Sequence, residues 1–166
     1  NHLNEYKVTR DLLLNNLPRT TEPLNENADL LEKSIEWSKK LDFSYLPIQG
    51  PPGTGKSYTA SHMIYELIKS GKKIGVTALS HKVIINLLNK VKEVAEKNGV
   101  AVKILYKDSA TNNEVFTWDV AKSTADVISS MKDYNLIAGT SFMLCNENFR
   151  ESLDYLFIDE AGQYAL

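Results

Sequence analysis

Apolar residues return at three- and four-residue steps in four stretches of the chain, the spacing of one helix face. Over 27–41 the repeat is Ala28, Leu31 and Ile35. Over about 56–70 it is Ala60, Met63, Ile64, Leu67 and Ile68, with Gly71 placed to end the helix. Ser80 can cap a third helix, whose stripe is Ile84, Leu87, Leu88, Val91 and Val94 or Ala95, and Asn98-Gly99 is its stop signal. A fourth helix carries Val120, Thr124, Val127, Ile128 and Met131 on one face. Short apolar runs between them read as strands, over 43–48, 73–79, 100–106, 136–139 and 155–158. Strands alternating with helices predict an α/β domain: a parallel sheet with helices on both faces. Near the start, the apolar cluster 12–14 is followed by Pro18 and Pro23 in a polar stretch that reads as an extended connector. The expected organisation is therefore a connector over 1–26 and one domain over 27–166.

Composition changes this picture little. With 43% hydrophobic and 24% charged residues in 166, the chain reads as an ordinary globular domain with room for a sizeable core. The formal net charge of -2 lacks the basic excess of a dedicated non-specific nucleic-acid binder, so a nucleic-acid partner must be argued from motifs. No apolar run is long enough for a membrane helix, and NHLNEYKVTR has no apolar leader segment. The one cysteine, Cys145, cannot form an internal disulfide, fits a cytoplasmic setting, and reads as a small buried hydrophobe. A start without methionine and an end just past a Gln-Tyr pair read as an excised piece of a longer protein.

Residues 50–57 read GPPGTGKS and match G-x-x-x-x-G-K-[ST] in full, between an expected strand and an expected helix. Gly53 and Gly55 permit backbone angles and close approach that side chains forbid. Successive N–H groups of Gly50, Pro51, Pro52, Gly53, Thr54, Gly55, Lys56, Ser57 and Tyr58, the prolines excepted, can then face a triphosphate at a helix N-terminus. Lys56 supplies a positive charge for the β- and γ-phosphates, and the Ser57 hydroxyl can ligate Mg²⁺. The competing reading is a plain Gly/Pro turn.

Residues 155–163 read YLFIDEAGQ, so Asp159 and Glu160 emerge at the carboxyl end of an apolar strand. That is the ligand edge of an open parallel sheet. Asp159 can hold Mg²⁺, directly or through water, and Glu160 can orient and deprotonate an attacking water. An Asp-Glu pair after a strand also often just opens a solvated loop.

IQGPPGTGKS together with FIDEAGQ resembles the helicase branch of superfamily 1 whose acidic motif reads DEAxQ. The resemblance implies a RecA-like P-loop NTPase fold, here truncated after the Walker B strand, with ATP and Mg²⁺ as cofactors. It implies that Gln163 contacts the γ-phosphate region and links nucleotide state to domain closure. VTALSHKVIINLL (76–88) and AGTSFML (138–144) resemble further helicase segments. By that likeness Thr77, Ser80, Gly139, Thr140 and Ser141 would lie along the backbone of a single nucleic-acid strand, DNA before RNA. Ser80 could equally be a helix cap and Thr140 a strand end. RDLLLNNLPR (10–19) and SYLPIQGPPGTGKSYTASHMI (44–64) look similar to bacterial proteins that fuse a RecB-like nuclease to such a helicase.

Three features depart from that family. The glutamines are Gln49 and Gln163, so the adenine-reading Gln upstream of the phosphate loop is missing. The downstream motifs and the second RecA-like domain with its arginine finger lie outside this sequence, and no nuclease carboxylate-lysine cluster is visible. The resemblance thus implies an isolated chain that binds Mg-ATP weakly and hydrolyses it negligibly, with the rest of the parent protein as partner. It also implies a missing strand beside the acidic one, a slot that a second copy could fill by strand exchange. AAA-type ATPases share GPPGTGK, but their acidic motif comes much sooner. GTPases need N-K-x-D, whereas 89–92 reads NKVK, and nucleotide kinases need a lid richer in arginine than Arg10, Arg19 and Arg150 allow. A structural module with a decayed site conflicts with intact Lys56, Ser57, Asp159 and Glu160. His81 reads as a helix N-terminal residue, His62 as surface, and Trp37 and Trp118 as packing.

Overall fold

The computed structural model describes residues 6–23, 29–109 and 115–164. They divide into two compact units, Asn1–Thr59 and Ala60–Leu166.

The first unit holds helices α1 (Lys7–Leu13) and α2 (Leu30–Lys40), the phosphate loop and the first turn of α3 (Lys56–Lys69). Helix α1 falls where the sequence suggests only an extended connector. Its Leu12 and Leu13 are exposed, so no apolar stripe announced it. It is fastened instead by polar contacts. Asp11 is buried, pairs with the Arg19 guanidinium and accepts from Asn16 Nδ2 at 2.9 Å. Arg19 also donates to the Phe43 carbonyl at 2.8 Å, and Tyr45 Oη to that of Asn16 at 2.7 Å. The Arg19 guanidinium beside Asp11 holds its carboxyl below the ordinary carboxylate value. Helix α2 begins where the Asp29 side chain accepts from Glu32 N at 2.8 Å. Asn27 and Ala28, the start expected for it, lie outside the described residues. The expected strand over 43–48 does not form, and that segment enters no ladder. A run this short gains strand geometry only by pairing, and Pro47 has no N–H to offer a ladder.

The second unit is a five-stranded, all-parallel sheet in the order β3-β2-β4-β1-β5. Its strands are β1 (Ile74–Thr77), β2 (Ile104–Lys107), β3 (Asp119–Ala121), β4 (Leu136–Ala138) and β5 (Tyr155–Ile158). Alternation along each strand sends side chains to opposite faces. Ile74, Val76, Ile104, Tyr106, Leu136 and Ala138 pack with α3 and with α4 (His81–Lys97). Leu105 and Ile137 pack on the other face with Val127 of α5 (Thr124–Ser130) and Met143 of α6 (Ser141–Leu144). The parallel sheet with helices on both faces is therefore as expected. On α4 the whole expected stripe is buried, and a fully buried Leu or Ile contributes about 1.5–3 kcal/mol.

Helices α3 and α4 end alike. Gly71 and Gly99 take left-handed angles (φ 80° and 67°), and the next N–H reaches back to Leu67 O at 3.0 Å and Ala95 O at 3.0 Å. Val120, expected on a helix face, belongs instead to β3. The Ser123 capping box fixes the start of α5 after it, and Met131 falls in a 3₁₀ turn. Cys145 is exposed rather than buried, at the C-cap of the one-turn helix α6. Strand β5 closes one end of the sheet, with Leu156 and Ile158 exposed and no partner on its outer side among the described residues. No helix among the described residues is long and apolar enough to cross a membrane.

Candidate nucleotide site and sheet edge

The phosphate loop is shaped by its backbone. Gly53 and Gly55 hold φ of 83° and 85°, the left-handed region that favours glycine. A Cβ added at either would meet nothing within 4 Å, so the requirement there is conformational. At Gly50 it is steric, because a Cβ would stand 2.7 Å from Thr54 Oγ1. Thr54 Oγ1 in turn donates to Pro51 O at 2.8 Å. Lys56 Nζ donates to the carbonyls of Gly50 at 2.6 Å and Pro51 at 2.9 Å, which a phosphate oxygen would have to displace. Thr59 N bonds to Gly55 O at 2.8 Å, so α3 starts directly out of the loop. Ser57 is half-buried in that first turn, while Tyr58 is exposed. An open loop of N–H donors, one ammonium and a hydroxyl at the N-terminus of a fourteen-residue helix fits a polyphosphate with its Mg²⁺.

The second set of residues sits at the carboxyl edge of the sheet. Asp159 N continues the ladder to Thr77 O at 2.9 Å, and Gly139 N reaches Val76 O at 3.1 Å. Gly139, Thr77 and Asp159 thus end the neighbouring strands β4, β1 and β5. Glu160 adopts the left-handed region (φ 54°), and its N–H donates to Asp159 Oδ1 at 2.9 Å. Its carboxylate accepts from Gln163 Nε2 at 2.8 Å, which joins the second acid to the glutamine of the motif. A bulky residue in that backbone region is uncommon and strained.

Ser80 accepts from Val83 N at 3.3 Å and so acts as the N-cap of α4. Thr140 is the N-cap residue of α6 and Ser141 its first residue. The Thr77 hydroxyl is buried and finds no hydrogen-bond partner among the described residues. Gly139 is buried against Met143, whose Cε would stand 2.8 Å from an added Cβ, so a packing reason for this glycine exists independently of any ligand. The expected site residues are therefore gathered in two sets. Gly50 to Tyr58 form one, and Thr77, Ser80, Gly139 to Ser141 and Asp159 to Gln163 form the other. Among the described residues, no three His, Cys, Asp or Glu side chains cluster closely enough to hold a metal. Mg²⁺ at phosphate sites ordinarily takes one or two protein ligands, with phosphate and water making up the rest.

Spacing alone missed one constellation. His81 Nδ1 and Tyr106 Oη share a hydrogen bond of 2.5 Å, its direction set by the imidazole tautomer. Tyr106 meets Phe116 edge-on at 5.5 Å, and Phe116 stacks on Trp118 at 5.4 Å. The available signal was the two-residue spacing of Phe116 and Trp118, which puts both rings on one side of an extended segment.

Residues 47–166 match the family model described as RNA cytidine acetyltransferase NAT10/TcmA, helicase domain. The chain belongs to that helicase-domain family. It is also 26% identical over 97% of its length to the DNA replication ATP-dependent helicase/nuclease DNA2 of Saccharomyces cerevisiae, of which it covers 10%. It is 31% identical over 74% of its length to the corresponding JHS1 protein of Arabidopsis thaliana, covering 9%, and 32% identical over 74% to dna2 of Schizosaccharomyces pombe, covering 9%. The chain thus spans about a tenth of the length of each of these three relatives. The sheet, its two helical layers and the loop 50–57 are those of a helicase-type P-loop fragment.

Proposed function

We propose that this chain is the nucleotide-binding part of a superfamily 1 helicase motor of the DEAxQ branch, which couples Mg-ATP hydrolysis to movement along single-stranded nucleic acid in a larger protein. The observation that carries the reading is the loop 50–57, with Gly53 and Gly55 in the left-handed region and α3 beginning directly after it. The loop's N–H groups and Lys56 would hold the β- and γ-phosphates, and Ser57 and Asp159 are the residues that would hold Mg²⁺. When bound, the ion neutralises charge on the phosphate oxygens. Glu160 takes the proton of the attacking water, with Gln163 fixing its carboxylate, as the 2.8 Å bond between them supports. Ser80, Thr140 and Ser141 face the nucleic-acid backbone, with Thr77 and Gly139 buried beneath them. The printed names of the three relatives favour DNA, and the family description names RNA; the reading takes DNA first.

A second RecA-like domain with an arginine finger completes the motor. Such a finger is worth about three to five orders of magnitude in rate, so the isolated chain binds nucleotide and turns it over negligibly. Titrating the chain with a fluorescent Mg-ATP analogue tests this. Wild type should bind, and Lys56→Ala should weaken binding about ten- to a hundredfold, the scale of a lost charge-assisted contact. Equal affinity in both proteins would sink the phosphate-loop assignment.

A further inference from the structure

We infer that the cavity beside the N-terminus of α4 is a nucleobase pocket, in which Phe116 and Trp118 stack a base of the single strand carried along the carboxyl edge of the sheet. This rests on the nucleic-acid reading above and adds to it a place where a base, rather than the backbone, is held. The cavity measures about 780 Å³, and its wall includes His81, Lys82, Asn89, Asp108, Phe116 and Trp118. Three features argue for a base.

The first is aromatic surface. His81, Tyr106, Phe116 and Trp118 form a continuous series of ring contacts at 5.8, 5.5 and 5.4 Å. The inner end, Tyr106, is completely buried in the core, while Phe116 and Trp118 are only partly buried and line the cavity. Rings anchored at one end and open at the other make a rigid plate, and base-aromatic stacking tolerates any sequence because every base has a π-face. The second feature is the polar remainder of the wall. Asn89 offers amide donors and an acceptor, and Lys82 is an exposed cation suited to a phosphate. The third is position. Asp108 directly follows β2, which pairs with β4, which pairs with β1. A strand lying across the ends of β1 and β4 at Thr77 and Gly139 reaches β2 next, at a spacing of about 5 Å per strand. His81 and Asp108 bring the cavity wall to that edge, and Phe116 and Trp118, which lead into β3 beside Ile104, extend it down the face of the sheet.

The test uses the full chain carrying Trp37→Phe, which leaves Trp118 as its one tryptophan. Oligo(dT) and an abasic phosphodiester of equal length are compared, with anisotropy of a labelled strand reporting binding and Trp118 emission reporting the pocket. We expect both strands to bind, only oligo(dT) to quench Trp118, and Phe116→Ala to weaken oligo(dT) about tenfold while leaving the abasic strand unchanged. Phe116→Leu keeps the apolar packing without the aromatic plane; it should give the same selective loss and serves if Phe116→Ala fails to fold. Binding of both strands with Trp118 unquenched and the Phe116 variants unaffected would overturn the pocket and leave the nucleic-acid reading standing; the cavity would then suit a protein segment instead. No binding of either strand would overturn both.

Discussion

The loop 50–57 keeps its shape through backbone angles, whereas Thr77 and Asp159 keep their places through the strands on which they stand. Positions 51 to 55 are exposed, and the order there comes from two left-handed glycines, one threonine hydroxyl and an ammonium bonded to the loop's own carbonyls. Under the sheet edge, Ile74 and Val76 have no exposure at all, and the ladder continues past them to Asp159 N. One region is specified by a short motif with little packing, the other by a core with little motif. The difference separates what can go wrong in each. Damage to the loop should impair ligand binding at nearly unchanged stability, and damage beneath the edge should unfold the sheet before it alters any chemistry.

The largest effect expected on this basis is on folding. Leu88 is fully buried among α3, α4 and the sheet, and Leu88→Ala should destabilise the second unit by about 2–5 kcal/mol, read from the urea midpoint of Trp118 emission. Lys56→Ala, read from Trp37 emission of the first unit in a Trp118→Phe background, should stay within about 0.5 kcal/mol of wild type, because a half-buried ammonium bonded to loop carbonyls supports no core. If Lys56→Ala cost as much as Leu88→Ala, the contrast between the two regions would collapse.

The same contrast explains which parts were legible in the sequence. The stripe from Ile84 to Ala95 was readable because burial imposes a helical period on it, and the run 155–158 because it is a short continuous apolar run, although the structure packs only Tyr155 and Phe157 against the core. The phosphate loop was readable for a different reason: its glycines answer to backbone angle, which leaves a fixed spelling in the chain. Where neither constraint acts, the reading failed. Helix α1 buries a carboxylate and no apolar face, so periodicity passed over it. Strand β3 has three residues, too few for alternation to register, and its Val120 fell into the pattern of the neighbouring helix. Residues 43–48 have strand composition without a ladder to join. Cys145 is a small apolar residue on a one-turn helix, where sequence carries almost no information about which side faces solvent. At the site, Thr77, Ser80 and Asp159 were placed at one sheet edge by the motif likeness and the βαβ alternation. The Tyr106–Phe116–Trp118 series was not, because contact between a strand and a distant loop leaves no local spacing.

An intermediate effect is expected inside the loop. Gly53 has φ of 83° with open space around its missing Cβ, so Gly53→Ala would meet no clash and would suffer only from the backbone angle. That strain is about 1–2 kcal/mol. It should show as about a five- to thirtyfold loss of nucleotide affinity, with the urea midpoint of the second unit unchanged. Gly53→Asn should lose less, since Asn visits the left-handed region more readily. Equal losses for Ala and Asn would mean that close approach of the ligand, rather than backbone angle, demands glycine there.

The smallest effect concerns what holds the first unit together, and it is a matter of pH. Where the sheet relies on apolar burial, α1 relies on Asp11 against Arg19 and Asn16, with the carboxyl held below its ordinary value of 3.8. A depressed carboxylate contributes stability above its unfolded value, and loses it as pH falls below that value and through the folded one. Wild type should therefore lose more stability between about pH 5 and about pH 3 than Asp11→Asn, which has no proton to take up there. Trp37 on α2 reports the first unit in a Trp118→Phe background, and Trp118 reports the second in Trp37→Phe. The acid-dependent difference between wild type and Asp11→Asn should appear in the Trp37 signal and be absent from that of Trp118. An equal difference at both tryptophans would mean that the two units unfold as one. No difference at either would mean that the buried ion pair contributes nothing to holding α1 in place.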